Sequence, residues 1–190
     1  GDAAHERVWS DLRAGDVVVD ATNSAVLAGQ HAVLLAQGIH VATANKLGVG
    51  AALSNAEAIA NEQRRGGARY GDAATVGAGL PILSSVRALM AGGDRIHAIE
   101  GVLSGSMAWL LDCFDGRVPF SHLLGQAQAA GYTEPDPRID LSGEDVRRKL
   151  LILARAAGWR LDVSDIRVEP LLPDIPPCGD SDDGWRALDA

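Results

Sequence analysis

Apolar and polar positions along this chain alternate between two periods, and each switch marks an element. Asp16–Asp20 (DVVVD) sets three valines between polar ends, the pattern of a buried parallel strand. Ser24 can cap a helix over Ala25–Gln37, where apolar residues recur at helical spacing, and Gly38 ends it. Ile39–Ala42 (IHVA) predicts a second strand, Leu53–Arg65 a helix, and Ala68–Tyr70 a short third strand. That rhythm predicts right-handed crossovers and a mostly parallel sheet. In such a sheet ligands sit beyond the carboxyl ends of the strands, which here means Ala21–Ser24 and Thr43–Lys46.

From Gly79 the pattern changes. Pro81 starts a helix that reaches Ala91, and Arg95–Ser104 (RIHAIEGVLS) alternates like a longer strand. Helices follow at Ser106–Phe114 and Ser121–Ala130, then a turn-rich loop at Gly131–Asp140. An amphipathic helix covers Ser142–Ala157 and stops at Gly158. Val163–Glu169 reads as a returning strand, and the Pro-, Gly- and Asp-rich tail from Pro170 reads as loop.

Composition narrows the partners. The chain has 190 residues and a net charge of -8, which argues against nucleic acid or an anionic membrane and for a small-molecule partner. Cys113 and Cys178 form neither a disulfide framework nor a zinc set, so a reduced, cytoplasmic setting is expected. No stretch has the length of a signal core or a membrane helix. The five histidines, His5, His31, His40, His97 and His122, lack metal-ligand spacing and read as solvated or structurally satisfied. Of the 17 basic residues only Lys46 and Lys149 are lysines. An amine can be tuned into a proton donor where a guanidinium cannot, which marks both as candidates.

The densest chemical signal is Gly131–Lys149, GYTEPDPRIDLSGEDVRRK. Glu134, Asp136 and Asp140 lie on a loop stiffened by Pro135 and Pro137, and Asp145 stands four residues before Lys149, on one helix face. Carboxylates beside a lysine suit a substrate that bears an ammonium and a reducible carbonyl. Glu144 and Arg147 read as an ordinary surface ion pair. The GAG of Thr75–Pro81 (TVGAGLP) lacks the third glycine of a dinucleotide fingerprint, and Gly48–Ala52 (GVGAA) reads as a flexible turn.

This stretch resembles the homoserine dehydrogenase signature, and VVVDAT with ANK, TVGAGLPIL and GVLSGSMAWLL resemble the same family in the same order, from Val17 to Pro173. The resemblance implies an α/β fold, the C-terminal part of a Rossmann-type parallel sheet plus an α+β substrate and dimerisation domain. It divides the chain at 1–72, 73–170 and 171–190, with the glycine-rich first half of the nucleotide domain expected upstream. It implies NAD(P)H-dependent reduction of aspartate semialdehyde to homoserine, in threonine and methionine biosynthesis, by a homodimer or higher homo-oligomer. VEPLLP is similar to the form fused behind aspartate kinases. Lys149 is then the general acid and Lys46 stands between cofactor and substrate. Glu134, Asp145 and Asp140, with Gly105 and Ser106, hold the substrate, and Thr22 touches the NADP or NAD. A monovalent cation, Na+, is implied on the carbonyls of Ala73, Val76, Ala78 and Leu80, although an acidic residue is usual where this chain has Ala73. Trp109, where the family tends to have tyrosine, is expected to pack. The rival reading is a non-catalytic remnant that folds, dimerises through Arg95–Ser104 and binds amino acids.

Overall fold

A computed structural model of the chain describes residues 11–134, 136–170 and 189. It divides into two compact units, one drawn from Gly1–Ile99 and Arg148–Ile166, the other from Glu100–Arg147 and Arg167–Ala190.

The first unit is built on a three-stranded sheet in the order β1 (Val17–Asp20), β2 (His40–Thr43) and β3 (Tyr70–Gly71), all parallel. Register runs Val17 opposite His40 to Asp20 opposite Thr43, and Val41 opposite Tyr70. Helix α1 (Ala25–Ala36) links β1 to β2, capped by Ser24, whose hydroxyl accepts from the Leu27 amide. Gly38 reverses the chain at a φ of 79°, which a side chain rarely tolerates. After β2 come α2 (Leu47–Gly50) and α3 (Leu53–Arg65), which carries Arg64 and Arg65 at its negative end and stops on left-handed Gly66. Leu34, Leu35, Ile39, Val41, Ile59, Ala68 and Tyr70 form the core of this unit. Helix α4 (Ile82–Ala91) follows a short 3-10 turn at Ala73–Thr75.

The second unit is helical in its described residues. Helices α5 (Gly105–Cys113), α6 (Phe120–Ala129) and α7 (Pro137–Leu141) enclose Leu110, Phe120, Leu123, Leu124, Ala127 and Leu141. Trp109 packs against that cluster, its ring 5.4 Å from the ring of Tyr132. Helix α8 (Glu144–Ala156) supplies residues to both units.

Four expectations change. Arg95–Ser104 forms no strand, and Val163–Glu169 forms a 3-10 turn at Val163–Asp165 with irregular chain beyond. Alternation describes a surface, but a strand exists only beside a partner, and no described strand pairs with either stretch. The loop at Gly131–Asp140 contains α7, started by Asp136 as N-cap with Pro137 in the first turn. Strand β1 is also less buried than its valines suggest, with Val17 58% and Val19 74% exposed at the sheet edge. The tail from Leu171 lies outside the described residues, apart from Asp189. Among the described residues no helix is long and apolar enough to cross a membrane.

Gly50 packs directly against backbone in the first unit. A Cβ there would stand 2.8 Å from the Arg148 carbonyl oxygen and 3.1 Å from two carbons of Ile152. A backbone oxygen cannot swing aside as a side chain can. Gly50→Ala is therefore expected to lower stability by about 1–3 kcal/mol, read as a lower urea midpoint at unchanged slope.

Candidate active site

The carboxyl end of β1 turns on a buried carboxylate. Asp20 is 4% exposed. Its Oδ1 accepts from the backbone amide (2.9 Å) and hydroxyl (2.7 Å) of Thr22. Its Oδ2 accepts from Nδ2 of Asn45 and from Nε2 of His31, each at 2.9 Å. Burial works to raise the Asp20 pKa, but these donors outweigh it and hold the carboxyl below its ordinary 3.8. An ionised Asp20 can only accept, so the His31 proton sits on Nε2, and Nδ1 accepts from the Tyr70 hydroxyl at 3.1 Å. Burial keeps His31 below its ordinary 6.5 against the pull of Asp20, and burial pushes the Tyr70 phenol well above its usual range.

The network reaches both turns where a ligand is expected. The Thr43 hydroxyl donates to the Asp20 carbonyl (3.0 Å) and accepts from the Asn45 amide (2.8 Å). Asn45 Nδ2 also donates to the Ser24 carbonyl at 2.9 Å, while Oδ1 accepts from the Leu47 amide at 3.0 Å. Half-buried Lys46 stands inside this assembly, between Asn45 and Leu47. Thr22 is exposed, and its hydroxyl oxygen also accepts from the Ser24 amide at 3.1 Å.

A second assembly lies in the other unit. Asp140, 5% exposed, accepts the Ser106 hydroxyl at 2.6 Å on Oδ1 and the Glu134 amide at 2.8 Å on Oδ2. Ser106 has one proton and gives it to Asp140, so the Ser104 hydroxyl donates to Ser106 at 2.9 Å and itself accepts the Met107 amide that caps α5. Burial raises the Asp140 pKa; the Ser106 and Glu134 bonds oppose it, while the charges of Asp145 and Glu134 add to it. Asp145 is 3% exposed and Glu134 is half-buried. Glu134, Asp140 and Asp145 thus share one electrostatic environment. Beside Glu134, the Thr133 hydroxyl oxygen is buried with no hydrogen-bond partner among the described residues, a polar atom left for water or a ligand.

The remaining expected residues fall as follows. Lys149 is half-buried and belongs to the first unit, as does Lys46. Gly105 is exposed at the start of α5. In the loop expected to bind a cation, Ala73 and Ala78 are exposed and Val76 is buried; Gly77 and Ala78 both have positive φ, 77° and 50°. The Leu80 carbonyl accepts from the Ile82 amide at 2.8 Å. Asp72 is taken by Arg87, two bonds of 2.7 Å. Glu144 and Arg147 pair at 2.5 Å on the face of α8. Sequence reading passed over Asp20, Asn45, Tyr70 and Ser104. Asp20 and Asn45 carried a signal, being polar residues at strand ends flanking Thr22 and Lys46.

A family model for homoserine dehydrogenase matches residues 81–182. The chain is 49% identical over 158 residues to bifunctional aspartokinase/homoserine dehydrogenase 2 of Escherichia coli, covering 83% of this chain and 19% of that protein. It is 44% identical over 173 residues to the chloroplastic bifunctional aspartokinase/homoserine dehydrogenase 2 of Zea mays, covering 90% and 19%. It therefore spans about a fifth of those relatives. A hyperthermophilic archaeal homoserine dehydrogenase in complex with NADPH superposes with a TM-score of 0.65 at 26% identity, over 74% of this chain and 43% of that one.

Ser106→Ala would leave the buried Oδ1 of Asp140 without its donor, expected to cost about 1–3 kcal/mol in urea unfolding. The Asp140 pKa is raised on folding, so as pH climbs from 3.8 through the folded value the unfolded chain has released a proton that the folded one still holds. Stability should fall across that window and level off above it. Unfolding of Asp140→Asn at the same pH values should show no such decline.

Proposed function

Since the chain belongs to the homoserine dehydrogenase family, we propose that it supplies the substrate side of the NAD(P)H-dependent reduction of L-aspartate 4-semialdehyde to L-homoserine. The observation that carries this reading is the crowding of Glu134, Asp140 and Asp145 in one unit, where burial and the charges of Asp145 and Glu134 make Asp140 costlier to ionise. A bound ammonium relieves that repulsion. The substrate carries such an ammonium next to the aldehyde end.

Glu134 binds the substrate ammonium and Asp145 anchors the same molecule. Asp140 has both oxygens committed to Ser106 and the Glu134 amide, so it orients Glu134 rather than touching substrate first. Gly105 and Ser106 close the site. Lys149 donates a proton from Nζ to the aldehyde oxygen as a hydride reaches the carbonyl carbon, leaving an alcohol and a neutral amine that takes a proton back from water. The dinucleotide, NADP or NAD, supplies that hydride when bound. Thr22 and Lys46 would hold its nicotinamide end, and the polar strand-end turns that they occupy fit such a group. The archaeal relative in complex with NADPH supports the choice of a nicotinamide. The carbonyls of Ala73, Val76, Ala78 and Leu80 belong to the same proposal as a monovalent cation site. Left-handed Ala78 supports it, because a non-glycine residue held there is strained unless the loop has a use for it.

The test is turnover of homoserine with NADP+ or NAD+, followed at the absorbance of the reduced nicotinamide. Lys149→Ala should lose about 10²–10⁴-fold in kcat at unchanged circular dichroism. Glu134→Gln should instead raise the KM for homoserine by about 10-fold or more, the worth of one charge-assisted hydrogen bond. Full activity in Lys149→Ala, or an unchanged KM for homoserine in Glu134→Gln, would overturn the assignment.

A further inference from the structure

Four buried polar side chains of the first unit have no part in the reaction above: Asp20, His31, Asn45 and Tyr70. They come from β1, α1, the turn after β2, and β3. Nothing in the stability of a sheet calls for them, because apolar residues of similar volume satisfy an interior without any hydrogen bonds to match. Their effect is to connect. The Tyr70 hydroxyl meets His31, His31 meets Asp20, and Asp20 meets both Thr22 and Asn45. Asn45 then holds the Leu47 amide.

The same pair also bears on the far side of Lys46. A Cβ on Gly48 would collide with the Tyr70 hydroxyl and stand 2.8 Å from Nδ1 of His31, so α2 starts directly against these two rings. The segment Asn45–Gly48 is thereby held before Lys46 by hydrogen bonds and after it by contact. Other titratable groups nearby are Asp72, which follows β3, and Arg87 on α4; both act on Tyr70 and are ion-paired to each other.

We propose that the Asp20–His31–Tyr70 relay is a positioning device for the Lys46 turn, fixing the backbone of Asn45–Gly48 and with it the place of the Lys46 amine at the strand ends. None of the three is a catalytic residue; they act through Asn45 and Gly48. That Lys46 faces the nicotinamide rests on the function proposed above, whereas the control of the turn does not.

Amide hydrogen exchange of the intact chain, without substrate, tests it. His31→Leu should speed exchange at Asn45 and Leu47 by about 10-fold or more, because a buried acceptor loses its donor, while Val41 and Ile59 in the same core stay within about 2-fold. Tyr70→Phe removes only the hydroxyl and should give a smaller change at the same amides, which keeps the test open if His31→Leu does not fold. His31→Gln can still donate to Asp20 and should restore most of the protection. Nitrogen shifts of the His31 ring should report a neutral Nε2–H tautomer. Unchanged exchange at Asn45 and Leu47 in both His31→Leu and Tyr70→Phe, equal acceleration throughout the core, or an Nδ1–H ring would overturn the relay. In the turnover assay His31→Leu should raise the KM for the dinucleotide more than it lowers kcat. A failed relay shows in the exchange pattern, and a failed reading of the reaction shows as full activity in Lys149→Ala.

Discussion

A carboxylate that cannot reach water must be met by donors, and the strand ends of the first unit are arranged around that requirement at Asp20. Removing an isolated charge from water costs several kcal/mol, so the group is tolerated only because four donors converge on it from Thr22, His31 and Asn45. Those donors lie on the turn after β1, on α1 and on the turn after β2. Satisfying one side chain therefore fixes three segments with respect to one another. The turns beyond the parallel strands inherit their arrangement from that demand.

Asp140 repeats the device in the second unit with the opposite electrostatic result. Elsewhere the chain answers a carboxylate with a guanidinium: Asp72 has Arg87, and Asp136 has Arg138, which holds its pKa below the ordinary value. Asp140 receives only neutral donors and has Glu134 and Asp145 as electrostatic neighbours, so burial and like charge drive its pKa upward. A site that gathers negative charge in a partly dry environment is suited to a cationic ligand. Under the function proposed above, the ammonium of the amino-acid substrate meets that description.

Local pattern and long-range pairing explain what could be read in the letters. The helix at Leu53–Arg65 was legible to the residue, because its start, its apolar period and its terminal glycine lie in one window. The first two parallel strands were legible from their β-branched residues and the helix between them, whereas the third, expected at Ala68–Tyr70, lies at Tyr70–Gly71. Arg95–Ser104 misled because its alternation is real, whereas the partner that turns alternation into a strand is not encoded in those ten letters. Helix α7 could have been found, since an aspartate before a proline is a helix start in its own right. The carboxylates of the GYTEPDP stretch and the two lysines stood out by type and spacing. The relay did not, as His31 and Tyr70 are 39 residues apart and neither is unusual alone.

The edge of the sheet carries a consequence for how the molecule behaves in company. Among the described residues β1 borders the sheet and shows Val17 and Val19 to solvent, a short β-branched ribbon whose backbone can pair with a further strand. Natural edges are commonly guarded by flanking charge, and here Asp16 and Asp20 bracket the valines. Asp20 is turned inward and committed to its own donors, so of these two Asp16 is the exposed charge. How this strand border meets other chains is thus tied to the very carboxylate that organises the turns beyond the strands.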